Sequence, residues 1–531
     1  MPFIQPAPSL PQPYHADPAL RALLRRAMAP EALAEIEPSL AAMGDLALRL
    51  HQLSLADRLN EPRHVPFDPW GNRVDRIEPT RLWQEAERIA AEQGLVALAY
   101  ERRHGAASRL HQFALVHLFH PGSDIYTCPL AMTDGAARTL LASGNGALVE
   151  RAVPRLTSRD PARFWTSGQW MTESSGGSDV GLSSTEARRD EAGDWRLYGR
   201  KWFTSAAASP MALALARPQG NPPGGKGLDL FYVETRRPDG TPNGFTVNRL
   251  KDKLGTRKLP TAELELDGML ATPVGELGNG VRAMAPMLNV TRTWNAVTAA
   301  SFLRRGILLA RDYAGKRFLF GAPLAGQPLH QDTLGGLEAE AQGAFQLAFH
   351  GAELLGLVES GDGDGALQRL LTPLVKLTTA RQAVAGCSEI LECFGGAGYV
   401  EDTGLPVLLR DAQVLSIWEG TTDVLSLEAM KAMVSCGFQG YRAHVQELLE
   451  GARSEALAVP ERAARAALLR AEAWWAGAEE AGARRFALTL GRTLALALLV
   501  RQARWALDRE GDPEPSRVAL RFAVNGVDLL H

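Results

Sequence analysis

The hydrophobic period of this 531-residue chain changes twice, and the order of the changes limits the folds it can adopt. Residues 1–170 carry apolar side chains mostly at helical spacing, as Leu33 and Ile36 do. Near Met171 the period shortens to that of strands, and from about Val281 the helical period returns. Helices, then strands, then helices favour separate α and β units over alternating βαβ winding.

The predicted strands lie in one stretch that is rich in turn residues. From Trp195 to Ser205, large and polar side chains alternate, as they do in a half-buried strand. Shorter apolar runs, separated by Gly-, Pro- and Asn-rich turns, cover 211–217, 228–234, 245–250 and 262–266. Strands at this spacing predict a small antiparallel barrel or sandwich.

We therefore predict an α+β, mainly α fold in four segments. A helical N-terminal domain covers 1–170, a middle antiparallel β-domain 171–280, a C-terminal helical bundle 281–438 and an extra helical segment 439–531. Within the first segment, a cluster of Pro, Asn and Asp predicts a loop around residues 60–71.

Composition excludes several classes of protein. A formal net charge of -3 does not indicate a globally basic nucleic-acid binder. Four cysteines without a CxxC pair predict neither a disulfide framework nor a zinc site. The most apolar stretch, Leu488 to Val500, is interrupted by Arg492, so a transmembrane helix is not expected. The N-terminus lacks the order of a secretory signal, and we expect a cytoplasmic protein without a metal.

Four short motifs have the residue types of a binding or catalytic site. Met171–Asp179 is rich in hydroxyls and glycine and can offer backbone N–H groups to an anion or to ring heteroatoms. In Ser416–Asp423, Glu419 follows a Trp, and a partly desolvated carboxylate is a better base. Phe394–Tyr399 is a glycine cluster and Arg317–Gly321 a basic helix end. Each motif alone also fits an ordinary turn, loop or helix terminus.

In their order and separation, the four motifs resemble the acyl-CoA dehydrogenase flavoprotein family. Further stretches resemble its AidB-like subgroup of adaptive-response flavoproteins: the Pro-rich start, 199–203, 250–255, 287–292 and the C-terminal extension of about ninety residues. The resemblance implies a helical N-terminal domain, a middle β-domain and a C-terminal four-helix bundle, here followed by the extra helical segment.

The resemblance also implies non-covalent FAD and assigns residues to it by position. Met171 and Thr172 would face the flavin ring, Phe203 would stack beside it, Ser205 would bond N5 and Ser178 would lie near the pyrophosphate. The family pattern assigns Arg317 and Phe320 to the pyrophosphate and the adenine end of FAD. Glu392, Gly395 and Gly396 would reach the FAD of a neighbouring subunit, and Thr421 and Asp423 would lie toward the adenosine. A contact with a neighbouring subunit's FAD implies an oligomer, which we expect to be a homotetramer.

Glu419 matches the family's catalytic base, which takes the α-proton of an acyl-CoA thioester while a hydride leaves the β-carbon for the flavin. Thr291 and Arg292 match residues at the pantetheine arm of the substrate, although Asn289 replaces an Asp of many relatives. Glu392 and Asp423 place carboxylates where many relatives carry Gln, and Leu319 stands where many carry Thr.

Two further functions stay open beside a working dehydrogenase or oxidase. The AidB-like subgroup is associated with duplex DNA and the response to alkylation damage. The segment after residue 440 has thirteen arginines and no lysine, and Arg484, Arg485, Arg501 and Arg504 are candidates for a DNA-binding face. The alternative is a solvated helical bundle that packs on the rest of the chain. A nitroalkane oxidase or a flavin monooxygenase is the other possibility, and Glu419 counts against both.

Overall fold

Helices flank a stretch of strands, in the order that the hydrophobic period predicts. The computed structural model describes residues 5–451 and 454–530. The helices are Pro18–Ala27 (α1), Pro30–Ala56 (α2), Arg81–Glu92 (α3), Ala97–Glu101 (α4), Ser108–Phe119 (α5), Thr127–Ala142 (α6), Gly146–Leu156 (α7), Gly280–Ala283 (α8), Ala285–Lys316 (α9), Pro328–Ser360 (α10), Gly365–Glu392 (α11), Val407–Leu415 (α12), Thr422–Cys436 (α13), Phe438–Leu448 (α14), Ala458–Trp475 (α15), Ala483–Glu510 (α16) and Glu514–Val524 (α17). The strands are Arg63–Phe67 (β1), Arg73–Glu78 (β2), Ser167–Trp170 (β3), Glu186–Arg189 (β4), Trp195–Thr204 (β5), Met211–Pro218 (β6), Asp229–Glu234 (β7), Phe245–Leu250 (β8), Ala262–Pro273 (β9), Phe318–Leu319 (β10) and Ala322–Pro323 (β11).

Local side-chain chemistry sets several helix ends. The Asp17 carboxylate accepts the Leu20 N–H at 3.1 Å and so caps α1, whose first residue is Pro18. Asp364 caps α11 in the same way. Gly361 ends α10 in the left-handed region, at φ 86°.

The middle β-domain is a seven-stranded sheet whose pairings close on themselves. Strand β6 pairs β4, β4 pairs β5, β5 pairs β9, β9 pairs β7, and β7 returns to β6. Strands β3 and β8 add to β6 and β9. The predicted barrel-like β unit is therefore present, but β3 and β4 run parallel to β6, so the sheet is mixed rather than purely antiparallel.

Alternation along β6 explains how this sheet is covered. Met211, Leu213 and Leu215 point to one face, where they join a buried cluster with side chains of α6 and α7. The intervening alanines point to the other face and join the barrel core around Phe231 and Leu264. All of these side chains are buried, which explains the continuous apolar run in the sequence.

One local prediction was wrong. Residues 60–71 were expected to form a loop, but Arg63–Phe67 is a strand that pairs antiparallel with β2. The turn between them contains Asp68, whose carboxylate accepts the N–H groups of Trp70 and Asn72. The Asp and Asn that suggested a loop therefore build the turn of a hairpin.

Two compact units combine stretches that are distant in sequence. The first contains residues 1–49, 102–122 and 292–531, and the second contains residues 50–101 and 123–291. Neither unit coincides with one of the four segments that we predicted along the chain. The boundaries of those segments therefore stay a prediction.

In the first unit, the extra C-terminal segment packs on the helical bundle. Helix α16 contacts α10, α11 and α13 of the bundle as well as α14, α15 and α17. The stretch Glu480–Glu510 is long and apolar enough to cross a membrane, but 83% of its most apolar window is buried inside the protein. It therefore has the burial of a core helix.

Candidate functional site

In the second unit, the predicted flavin loop folds against strand β5. The Trp202 N–H donates to the Thr172 carbonyl at 3.0 Å, which fixes the start of the loop after β3. A Cβ atom at Gly177 would lie 2.9 Å from the Thr172 hydroxyl oxygen, so this close return of the loop requires glycine. Met171 is buried and Ser178 is exposed. The structure therefore brings the loop residues next to the strand that carries Phe203.

A buried ion pair holds the far side of this loop. The Glu173 carboxylate accepts the Lys201 ammonium at 2.8 Å, and both side chains are at most 2% exposed. The same carboxylate accepts the N–H and hydroxyl groups of Ser184 and Thr185 at 2.6–3.2 Å. Burial alone would raise the pKa of Glu173, but Lys201 and these hydrogen bonds lower it to about 2. Glu173 is therefore an ionised anchor of the loop.

Phe203 and Ser205 present an aromatic ring and a hydroxyl at the end of β5. Phe203 is 55% exposed, although it follows the buried Lys201 by only two residues. The Ser205 and Thr261 hydroxyls are 3.2 Å apart, and Lys253 donates to Thr261 at 3.0 Å. The Lys251 ammonium lies 4.6 Å from the centre of the Phe203 ring. Thr261, Lys251 and Lys253 were not identified from the sequence.

In the first unit, the ends of α9 and α11 lie together. The rings of Tyr313 and Phe394 pack with centroids 5.2 Å apart, four residues before Arg317 and two after Glu392. Phe320 is 96% exposed and has a left-handed backbone at φ 52°. The other predicted residues of this region, Glu392, Gly395 and Gly396, are exposed as well.

Glu419 stands at a sharp corner between α12 and α13. Its backbone is left-handed at φ 57°, a costly conformation for a residue with a side chain, and its side chain is partly buried. Thr421 caps α13 by accepting the Val424 N–H at 3.4 Å. Before the corner, the Trp418 indole N–H donates to the Asn295 side chain. Both flanks of Glu419 are therefore anchored.

The predicted substrate residues Thr291 and Arg292 are both buried. The Thr291 hydroxyl donates to the Leu288 carbonyl at 3.4 Å. The Arg292 guanidinium donates to the Glu428 carboxylate at 2.6 and 2.8 Å and to the Glu419 carbonyl at 3.2 Å. Arg292 thus contacts the backbone of the Glu419 corner, and its predicted contact with a substrate stays a prediction.

Three family profiles together cover most of the chain. "Adaptive response protein AidB N-terminal domain" matches residues 6–161, "Acyl-CoA dehydrogenase, middle domain" matches 168–269 and "Acyl-CoA dehydrogenase, C-terminal domain" matches 278–434. The chain belongs to the acyl-CoA dehydrogenase family.

Individual relatives agree with this membership. Acyl-CoA dehydrogenase family member 11 of Caenorhabditis elegans is 45% identical over 442 residues, which is 81% of this chain and 72% of the relative. The AidB protein of Escherichia coli (strain K12) is 32% identical over 394 residues, 72% of this chain and 71% of the relative. The crystal structure of Caenorhabditis elegans ACDH-11 in complex with C11-CoA superposes with a TM-score of 0.94 at 40% identity, covering 100% of this chain and 93% of that chain.

This acyl-CoA dehydrogenase family member is an oxidoreductase flavoprotein, and FAD is its cofactor. The donor set fits that group. Within the second unit, Phe203 offers an exposed aromatic ring and Ser205 a hydroxyl, groups that suit a flavin ring. The Asp423 carboxylate would repel an anionic pyrophosphate. It accepts a hydrogen bond from the Arg484 guanidinium at 3.1 Å, which offsets the negative charge of Asp423. The individual residue assignments stay predictions.

The C-terminal arginines of this family member do not form the predicted face. Arg504 is only 9% exposed and donates to Glu461 at 2.8 Å and to the carbonyls of Leu449 and Glu450. Arg501 is partly buried beside Glu353. Arg484 and Arg485 remain exposed. Arg501 and Arg504 share one side of α16, as their spacing predicts, but that side packs inward. The predicted DNA-binding face of four arginines is therefore wrong.

Proposed function

We propose that this chain oxidises an acyl-CoA thioester to the 2-enoyl thioester, with Glu419 as the base. The observation that supports the proposal most is the placement of Glu419. Its carboxylate stands at a fixed left-handed corner in the sequence motif of the family's base. A general base must lie within hydrogen-bond reach of the proton it takes, so an immobilised backbone favours this role.

The chemistry divides between the protein and its cofactor. Glu419 removes the α-proton of the thioester, and the electron pair of that C–H bond forms the new carbon–carbon double bond. FAD, when bound, supplies the oxidant by accepting the hydride that leaves the β-carbon. Glu419 ends the reaction protonated and returns its proton to solvent before the next turnover.

The substrate class follows from the chemistry and from a relative. The C. elegans ACDH-11 structure holds C11-CoA. We propose an acyl-CoA substrate for this chain, with undecanoyl-CoA as the first compound to test. The buried Thr291 and Arg292 lie at the start of the α9 stretch where the family pattern places the pantetheine arm.

An anaerobic titration tests the proposal. Purified protein is mixed with saturated straight-chain acyl-CoAs of increasing length, and the visible flavin band is recorded. Bleaching by at least one thioester, with the matching 2-enoyl-CoA as product, is the expected result. A fully FAD-loaded protein that no member of the series bleaches would overturn the dehydrogenase proposal.

We also propose that the protein is a homotetramer. Phe318, Phe320 and Tyr399 are 64%, 96% and 91% exposed; the first two follow Arg317 in sequence, and Tyr399 follows Gly396 by three residues. Exposed aromatic side chains favour burial against a partner. Sedimentation equilibrium tests the assembly, and a monomer at micromolar concentration would contradict it.

A further inference from the structure

A buried lysine reaches the Glu419 corner from another helix. Lys376 lies in α11 and is 0% exposed. Its ammonium donates to the Trp418 carbonyl at 2.7 Å and to the Gly420 carbonyl at 2.6 Å. These are the carbonyls of the residues immediately before and after Glu419, so a single nitrogen atom bonds to the backbone on both sides of Glu419.

Arg292 takes the carbonyl between them. Its Nε donates to the Glu419 carbonyl at 3.2 Å, so two cations hold three consecutive carbonyls. Glu419 itself has a left-handed backbone, at φ 57°. Backbone of this kind persists only where the surroundings over-determine it. The two cations supply that restraint.

Two charged groups, Glu419 and Arg292, act on the Lys376 ammonium. The Arg292 guanidinium is itself paired with the Glu428 carboxylate. Burial lowers the pKa of Lys376 most, Glu419 raises it and Arg292 lowers it, with the result near 7. A buried ammonium costs folding free energy unless hydrogen bonds compensate it, and here the Trp418 and Gly420 carbonyls supply those bonds.

We propose that Lys376 is a positioning residue for the dehydrogenation: it fixes the corner from both sides, so that the Glu419 carboxylate is held toward the substrate's α-carbon. The role rests on the proposed function of Glu419. Lysine suits it because three donors radiate from one nitrogen on a long stem, and one side chain can therefore bridge two carbonyls that flank a third residue.

The test compares Lys376→Met with Lys431→Met, the same change at an exposed lysine of α13. Methionine keeps much of the length and removes every donor. We expect the Lys376 variant to keep its FAD spectrum and to bind acyl-CoA within about twofold of the parent, because neither ligand is held by this lysine. Flavin reduction should slow about 100-fold, the usual effect of a misplacement of about 1 Å. The Lys431 variant should reduce its flavin at the parent rate.

The limiting rate of flavin reduction at saturating acyl-CoA separates this role from a purely structural one. A positioning loss lowers this limiting rate while the acyl-CoA dissociation constant stays within about twofold of the parent value. A structural lysine would change the melting temperature and leave the limiting rate unmoved. If Lys376→Met does not fold, Lys376→Gln, which keeps N–H donors on a shorter stem, takes its place, and its flavin should be reduced more slowly than that of the parent.

The controls distinguish the two proposals. If the parent is not reduced by any acyl-CoA, the proposed function fails and the role of Lys376 fails with it. If the parent is reduced, and Lys376→Met is reduced at the same limiting rate, the proposed function stands and the positioning role is overturned.

Discussion

Neutralising Glu173 should destabilise the middle β-domain and loosen its flavin loop. Glu173→Gln leaves the Lys201 ammonium, at 0% side-chain exposure, with the Leu215 carbonyl at 2.7 Å as an acceptor but without its countercharge. Breaking a buried pair by removing one partner typically costs about 3–5 kcal/mol, because the remaining charge is uncompensated. For a unit of about 200 residues, this corresponds to a fall in melting temperature of roughly 6–20 °C.

The pKa of Glu173 gives a second measure of the same energy. Its folded pKa of about 2 lies below the ordinary value of 4.5, so its contribution is present above pH 4.5 and is lost as the pH falls toward 2. A shift of this size corresponds to about 3 kcal/mol. The parent should therefore lose stability in that window, and Glu173→Gln should lose much less of it there.

Thermal melts followed by circular dichroism at pH 7 test the magnitude. Glu186→Gln is the matched control, because its pair with Arg188 is 44% and 48% exposed and contributes under about 1 kcal/mol. The double variant Glu173→Leu with Lys201→Met should be more stable than Glu173→Gln, since it removes both charges. A Glu173→Gln protein within about 1 kcal/mol of the parent, with unchanged FAD affinity, would refute the reasoning.

Three further outcomes follow from individual arginines. If Arg317 binds the pyrophosphate as predicted, Arg317→Ala should weaken FAD binding by about 1.5–3 kcal/mol, because it removes a charge-assisted hydrogen bond to phosphate. Fluorescence titration of the apoprotein with FAD measures the affinity, and an unchanged affinity would exclude Arg317 from the site. Arg504→Gln should lower the melting temperature far more than Arg485→Gln, because only Arg504 is buried with internal partners; equal melts would contradict that placement. If the protein binds duplex DNA, changing Arg484 and Arg485 to Gln should weaken that binding. In gel-shift titrations, the slope of log affinity against log salt concentration should become shallower by about 0.9 for each phosphate that is no longer neutralised, and unchanged binding would exclude these two side chains.

The sequence predicted the elements with a clear period and missed those without one. Strands β5 to β9 were located because large and polar groups alternate or because apolar runs end at turns. Strands β3 and β4 have four residues each, too few to show a period. The β1 strand was missed because Pro, Asn and Asp beside it are also typical of loops.

The candidate site shows a similar division. Motif residues such as Glu419 were identified because a known pattern marks them. Lys376 was missed, because its acceptors are backbone carbonyls of a loop 42 and 44 residues away, and backbone groups carry no sequence signal. Arg504 was assigned to the surface, because charged residues usually lie there, and only tertiary structure reveals its carbonyl and Glu461 partners.

The role of Glu419 as the base is the central claim, and anaerobic stopped-flow reduction of Glu419→Gln tests it most directly. An amide cannot accept the α-proton, while its size leaves the corner and the FAD site unchanged. With the thioester that reduces the parent fastest, the variant should hold FAD with the parent spectrum and reduce it about 10²- to 10⁴-fold more slowly. Reduction of the variant at the parent rate would show that another group takes the proton.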